Sequence, residues 1–192
     1  NRTIFHTVTR EFIVDGVGDI MEPLGLSGSR LEVNSLIIDA FAPHIKNIMR
    51  AVELAGGEVG GLVLTPLVAA RSALSKKQKD LGVVIVDIGA GTTGMSVYEE
   101  NKLVGVAKFP VGGASVSNDL ALTLKIPVHA AESLKLNYGY ALSRDVGQRE
   151  TADLNKVFPE AEHLVSRKFI AEVIQARLEE IFEFVNAELR LV

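Results

Sequence analysis

The sequence contains no cysteine. That excludes disulfides, thiolate metal sites and a cysteine nucleophile, and it fits a cytosolic compartment. Nor does it contain any run approaching the roughly 18 apolar residues of a membrane span, and no signal peptide precedes its first strand-like segment. Charge of one sign is also scarce. A net charge of −4 and a pI near 5.6 exclude broad, nonspecific nucleic-acid binding. What is present is apolar material: 47% of the 192 residues are hydrophobic, enough for one good core or two small ones. The chain opens at Asn1 in strand-like sequence and closes at Val192 in helix-like sequence, so a fragment of a longer protein is expected.

The rest of the chain is organised around Leu81–Thr93, LGVVIVDIGAGTT. Its β-branched run predicts a buried strand, and the strand ends in an acid, two glycines and two threonines. Such an ending suits a phosphate bound to a metal ion. Gly89 and Gly91 are free to take positive φ and carry no Cβ, so backbone N–H groups can approach phosphate oxygens. Thr92 and Thr93 add hydroxyl donors, and Asp87 can hold a hydrated Mg²⁺ through water. The same residues would also serve a plain hairpin turn, in which Asp and Gly supply only turn chemistry.

Before this stretch, Ile4–Val14 and Arg30–Asp39 read as strands, separated by an Asp15-Gly16 turn and a polar, glycine-rich loop from Glu22 to Gly28. Pro43 starts a helix carrying Ile45, Ile48, Met49, Val52 and Leu54, which Gly56-Gly57 ends. Gly61–Thr65 reads as a short strand, Leu67–Leu74 as a helix, and Ser75–Asp80 as a solvated loop at a domain boundary. After it, Met95–Glu99 and Leu103–Pro110 complete a three-strand antiparallel meander. A second glycine pair, Gly112-Gly113, opens a helix from Ala114 to Leu124, whose positive N-terminus is a second candidate phosphate contact. Val128–Tyr138 is a helix with Glu132 and Lys135 at i, i+3, which on local grounds is an exposed ion pair. Gly139–His163 is weakly patterned. Ser166 to about Leu191 is a long amphipathic helix with Ile170, Val173, Ile174, Leu178, Ile181, Val185 and Leu189 inward and Glu172, Glu179, Glu183 and Asn186 outward.

A strand ending Asp-x-Gly-x-Gly-Thr-Thr, two further strands, then Gly-Gly opening a helix resembles the second phosphate-binding half of the actin–chaperone–sugar-kinase ATPases. Within that superfamily the match narrows. Arg10–Gly16 (REFIVDG), Glu22–Gly28 (EPLGLSG) and Arg30–Val33 resemble the small domain inserted in the bacterial FtsA cell-division family. Pro110–Gly113, Asn118–Ala121 (NDLA) and Ala131–Gly139 (AESLKLNYG) resemble the same family outside that insertion. The resemblance covers about Phe5–Leu189 and thins between Ala141 and His163.

This resemblance implies an α/β fold: a partial actin-like, ribonuclease H-like nucleotide-binding domain with an SHS2-like insertion. Residues 1–65 would be the C-terminal part of the insertion, 66–80 a connecting helix and loop, and 81–192 the second ATPase lobe, with an outer subdomain at about 127–165. ATP and Mg²⁺ are the implied cofactors. Asp87, Gly89, Gly91, Thr92 and Thr93 would meet the β/γ-phosphates and the metal. Gly112 and Gly113 would touch the phosphates from the helix end, and Glu132 and Lys135 would lie beside the ribose and base. The implied function is an actin-like protein that polymerises, tethers the tubulin-like FtsZ ring to the membrane and recruits later division proteins. It would be a weak ATPase at most, at the cytoplasmic face of the inner membrane, with membrane contact made by a C-terminal helix outside these residues.

Two departures bear on this. Ala90 stands where the family usually has a third Gly, which is a small change if its φ is negative. Gly94 replaces the usual Asp, which touches hydrolysis more than binding. The alternatives are a PilM-like type IV pilus assembly protein and a sugar-kinase-like enzyme. A kinase needs an acid to deprotonate its acceptor, and the only candidate is Asp87.

Overall fold

The structure is a computed structural model that describes residues 2–160 and 164–192. The chain divides into two compact units, Asn1–Ile85 with Ser96–Val106, and Val86–Met95 with Ala107–Val192.

In the first unit, β1 (Arg2–Val14), β2 (Val17–Ile20) and β3 (Leu31–Phe41) form an antiparallel sheet in the order β2-β1-β3. Asp15 and Gly16 join β1 to β2 at φ 48° and 84°. Both central residues of this two-residue turn are left-handed, the geometry whose twist matches paired strands. The Asp15 carboxylate accepts from Ser29 Oγ at 2.8 Å, Ser29 N–H at 3.0 Å and Arg30 N–H at 2.8 Å. These bonds tie the 22–30 loop back to the turn and hold the carboxyl below its usual range. Helix α1 (Ala42–Leu54) has Pro43 in its first turn and ends before Gly56 at φ 82°. Among the described residues none of its side chains is fully buried.

Two expectations fail here. Gly61–Leu64 forms no strand: it pairs with neither edge of the sheet, β2 or β3, and Thr65 already belongs to α2 (Thr65–Ala73). The Leu64 N–H donates instead to His6 Nε2 at 3.0 Å. Nor is Ser75–Asp80 a loop. It is α3 (Lys76–Leu81), nucleated by a reciprocal cap in which Ser75 and Gln78 bond each other's backbone.

The central sheet has the order β4-β5-β6, from β4 (Val83–Ile88), β5 (Thr93–Glu99) and β6 (Lys102–Phe109). Glu100 and Asn101, both left-handed at φ 51° and 61°, make the two-residue link between β5 and β6. Neighbouring strands joined by links this short run antiparallel, as expected.

The second unit continues with α4 (Gly113–Leu124), α5 (Val128–Tyr138), β7 (Thr151–Asp153), β8 (Leu164–Ser166) and α6 (Arg167–Leu189). Strands β7 and β8 pair antiparallel inside the weakly patterned stretch, of which 161–163 lie outside the described residues. Val116, Leu120, Leu134, Leu154, Ile170 and Ile174 form one apolar core, closed between helices by Ala121, Ala130 and Ala131. Fully burying each of the large side chains contributes about 1.5–3 kcal/mol before entropy is counted. Helix α6 buries Ile170, Ile174, Ile181 and Val185 and exposes Glu172, Glu179, Glu183 and Asn186, as its pattern predicts, whereas Val173, Leu178 and Leu189 of the expected inner face are only half-buried.

A glycine lock and an open loop

The loop between β4 and β5 is a tight turn. Gly89 N–H donates to the Thr92 carbonyl at 2.9 Å, leaving Ala90, Gly91 and Thr92 exposed at the tip. Among the described residues, the amides of Ala90 and Gly91 make no hydrogen bond. Neither Gly89 nor Gly91 lies at positive φ, contrary to expectation. Ala90 is not left-handed either, so a third glycine is not required there. Asp87 is half-buried near the end of β4.

The second glycine pair is fastened to this loop. Gly113 N–H donates to the Gly89 carbonyl at 2.8 Å, and Ala114 N–H to the Ala90 carbonyl at 2.7 Å. Gly112 is extended, at φ −168°, so its identity is not set by backbone strain. Proximity sets it. A Cβ at 112 would stand 2.5 Å from the Gly89 oxygen, 2.7 Å from the Ala90 oxygen and 2.9 Å from the Thr92 nitrogen. The first amides of α4 are therefore used in locking the two loops together. Thr93 joins the lock: fully buried, its hydroxyl donates to the Val111 carbonyl at 2.8 Å. Of the two threonines, Thr92 is the one open to solvent.

Behind the lock sits α5. The Lys135 ammonium donates to Glu132 Oε2 at 2.7 Å, to Ser117 Oγ at 2.9 Å and to the Gly113 carbonyl at 3.0 Å. All three of its donors are thereby used. Ser117 in turn donates to Glu132 Oε2. The Lys135 ammonium first, and then the Ser117 hydroxyl, hold the Glu132 carboxyl below its usual range. Glu132 and Lys135 are thus more than a surface pair, with side chains 43% and 19% exposed. Sequence reasoning does not find Ser117, because a lone serine within a helix carries no pattern. It also misses Arg177, whose guanidinium grips Asp119 through two bonds of 2.7 and 2.9 Å and joins α6 to α4.

The structure brings Gly89, Gly112, Gly113, Thr93, Glu132 and Lys135 together in one cluster of bonds and close contacts, while Gly91 and Thr92 stand at its open end and Asp87 lies on the strand leading in. Among the described residues no group of three or more His, Asp or Glu could cage a metal ion. A single carboxylate fits Mg²⁺, which keeps most of its waters and is usually held by one or two carboxylates together with substrate phosphates.

The three-stranded sheet β4-β5-β6, with glycine loops meeting beyond β4, is part of an actin-like fold. The structure matches MreB5 of Spiroplasma citri bound to AMPPNP with a TM-score of 0.61, at 19% identity, over 80% of this chain and 48% of that one. It matches the PilM–PilN type IV pilus biogenesis complex with a TM-score of 0.60, at 15% identity, over 98% of this chain and 46% of that one. Identities this low speak for the fold alone. The sequence narrows it further: the chain belongs to the FtsA cell-division family. The family model described as cell division protein FtsA matches residues 84–191, and that of the SHS2 domain inserted in FtsA matches residues 1–39. The FtsA of Pseudomonas aeruginosa is 35% identical over 190 residues, 99% of this chain. The chain spans 46% of that relative's length. No helix among the described residues is long and apolar enough to cross a membrane.

Proposed function

We propose that the chain carries one phosphate-binding face of an ATP-binding, actin-like cell-division protein, which polymerises and tethers the FtsZ ring to the inner membrane. The single observation that carries this is the turn tip. Ala90, Gly91 and Thr92 are exposed, their loop is locked from behind, and the amides of Ala90 and Gly91 have no internal acceptor among the described residues. Such amides suit phosphate oxygens. In this reading Gly91 and Thr92 meet the β/γ-phosphates and Asp87 orients hydrated Mg²⁺. Gly89, Gly112, Gly113 and Thr93 serve the same ligand by fixing the loop that receives it. Glu132 and Lys135 lie beside the ribose and base. The switched state is read by division proteins, FtsZ first, at the cytoplasmic face of the membrane. Any ATP turnover is slow, and the role is that of an adaptor.

The test uses the full-length protein. Asp87→Ala should weaken Mg·ATP binding in calorimetry by about tenfold or more, equivalent to about 1.4 kcal/mol. It should also lower ATP-dependent co-sedimentation of FtsZ with vesicles. Unchanged affinity for Mg·ATP refutes the assignment of the site.

A further inference from the structure

We propose that Ser117 is a positioning residue for the nucleotide: its buried hydroxyl sets Glu132 and Lys135 in one geometry against the first peptide group of α4. The inference rests on the nucleotide reading above. Ser117 is 1% exposed, one turn into α4, and no sequence motif points to it. Its hydroxyl has one proton and two lone pairs. The proton has two acceptors in reach, the Gly113 carbonyl at 3.3 Å and the much nearer Glu132 Oε2, and it goes to the nearer, charged one, while a lone pair receives the Lys135 ammonium at 2.9 Å.

What that arrangement does follows from where the bonds end. Lys135 and Ser117 both take Oε2 of Glu132, which leaves Oε1 to accept from a ligand hydroxyl. Lys135 also donates to the Gly113 carbonyl at 3.0 Å. The same peptide group carries the Ala114 N–H, which donates to the Ala90 carbonyl at 2.7 Å. A cation on the oxygen of a peptide group polarises it and strengthens the bond made by its N–H. Ser117 therefore acts at two places through its partners, on the acceptor offered to the ribose and on the seat of the phosphate loop. Without the hydroxyl, Glu132 loses a donor, and the Lys135 ammonium is free to leave the Gly113 carbonyl.

The experiment compares wild type, Ser117→Ala and Ser117→Thr in the full-length protein, by calorimetry with Mg·ATP and with its 2′,3′-dideoxy analogue. Ser117→Ala should weaken Mg·ATP about tenfold and the dideoxy nucleotide by a clearly smaller factor. Ser117→Thr, which keeps the hydroxyl, should restore Mg·ATP to within about threefold of wild type. A second readout needs no nucleotide: the rate at which an amine-reactive acylating reagent modifies Lys135, followed by mass spectrometry, should rise several-fold in Ser117→Ala. Wild-type affinity in Ser117→Ala overturns the proposal, as does an equal loss of both nucleotides without rescue by Thr, which would mark a purely structural role. An unchanged acylation rate overturns the clamp itself. Absence of Mg·ATP binding in wild type, with the acylation response intact, refutes the nucleotide reading and the role built on it, yet leaves the clamp demonstrated.

Discussion

Replacing Gly112 with alanine should unlock the two glycine loops. The new Cβ would meet three backbone atoms, the Gly89 and Ala90 oxygens at 2.5 and 2.7 Å and the Thr92 nitrogen at 2.9 Å. Close C···O contacts in proteins lie at about 3.3–3.6 Å, so the carbonyls must retreat by roughly 1 Å. Backbone cannot swing aside as a flexible side chain would. The retreat breaks the Gly113–Gly89 and Ala114–Ala90 bonds of 2.8 and 2.7 Å. At about 0.5–1.5 kcal/mol net for each, the loss is about 1–3 kcal/mol. Gly91→Ala is the matched control. Among the described residues nothing lies within 4 Å of the point where its Cβ would stand, and its φ is not left-handed, so stability should move by no more than about 0.5 kcal/mol. The assay is urea unfolding of both variants beside Mg·ATP titration. Gly112→Ala should lose stability. Gly91→Ala should keep stability and weaken the nucleotide, because its methyl group faces the ligand alone. Equal stability of the two variants would refute the lock.

Two further outcomes follow from the charged groups of the same unit. The Glu132 carboxyl is held below its ordinary value of 4.5, so its share of stability is complete above that value and is lost as pH falls through the lowered one. Urea midpoints of wild type and Glu132→Gln should therefore differ at pH 7 and converge as the pH falls through the lowered value, and a constant difference would show that the charge of Glu132 contributes nothing to stability. Arg177→Lys keeps the charge but not the two-pronged grip on Asp119. For a pair about a quarter exposed it should cost about 1 kcal/mol in thermal unfolding, and a wild-type melting temperature would show that the grip contributes nothing.

What is legible in the sequence is whatever repeats or punctuates. Helix α5 can be read with its observed bounds, and α6 with its observed buried face, because each runs long enough for a helical period to declare itself. The left-handed turns at Asp15-Gly16 and Glu100-Asn101 are marked by Asp15, Gly16 and Asn101, residues that tolerate that backbone. Illegible are the elements too short to show a period, such as β7 and β8 of three residues each. A dense run of lysines hides the Ser75–Gln78 cap and makes α3 look like solvated loop. Gly61–Leu64 looks like a strand because Leu, Val and Leu suit one, yet no free edge of the sheet receives it. At the site the residue types are legible and their reasons are not. Gly112 is needed for contact with the other loop, which no property of its own neighbours could disclose.

The two local readings of Gly89–Thr92, as hairpin turn and as phosphate loop, prove compatible. The bond from Gly89 N–H to the Thr92 carbonyl is turn chemistry. Closing the turn that way is also what leaves the Ala90 and Gly91 amides without acceptors among the described residues. An exposed turn with free amides is ordinary, and water satisfies it. This one differs in its support: α4 commits its first amides to the turn's own carbonyls, and Lys135 braces the peptide group that supplies one of them. Acceptors that would compete with a ligand for those donors are thereby occupied, and the unbonded amides are held in place before any ligand arrives. Preorganisation of this kind spares a bound anion the ordering of its own site. That is a physical ground for reading the turn as a site, and it lies in the contact between two segments, where neither segment's sequence could show it.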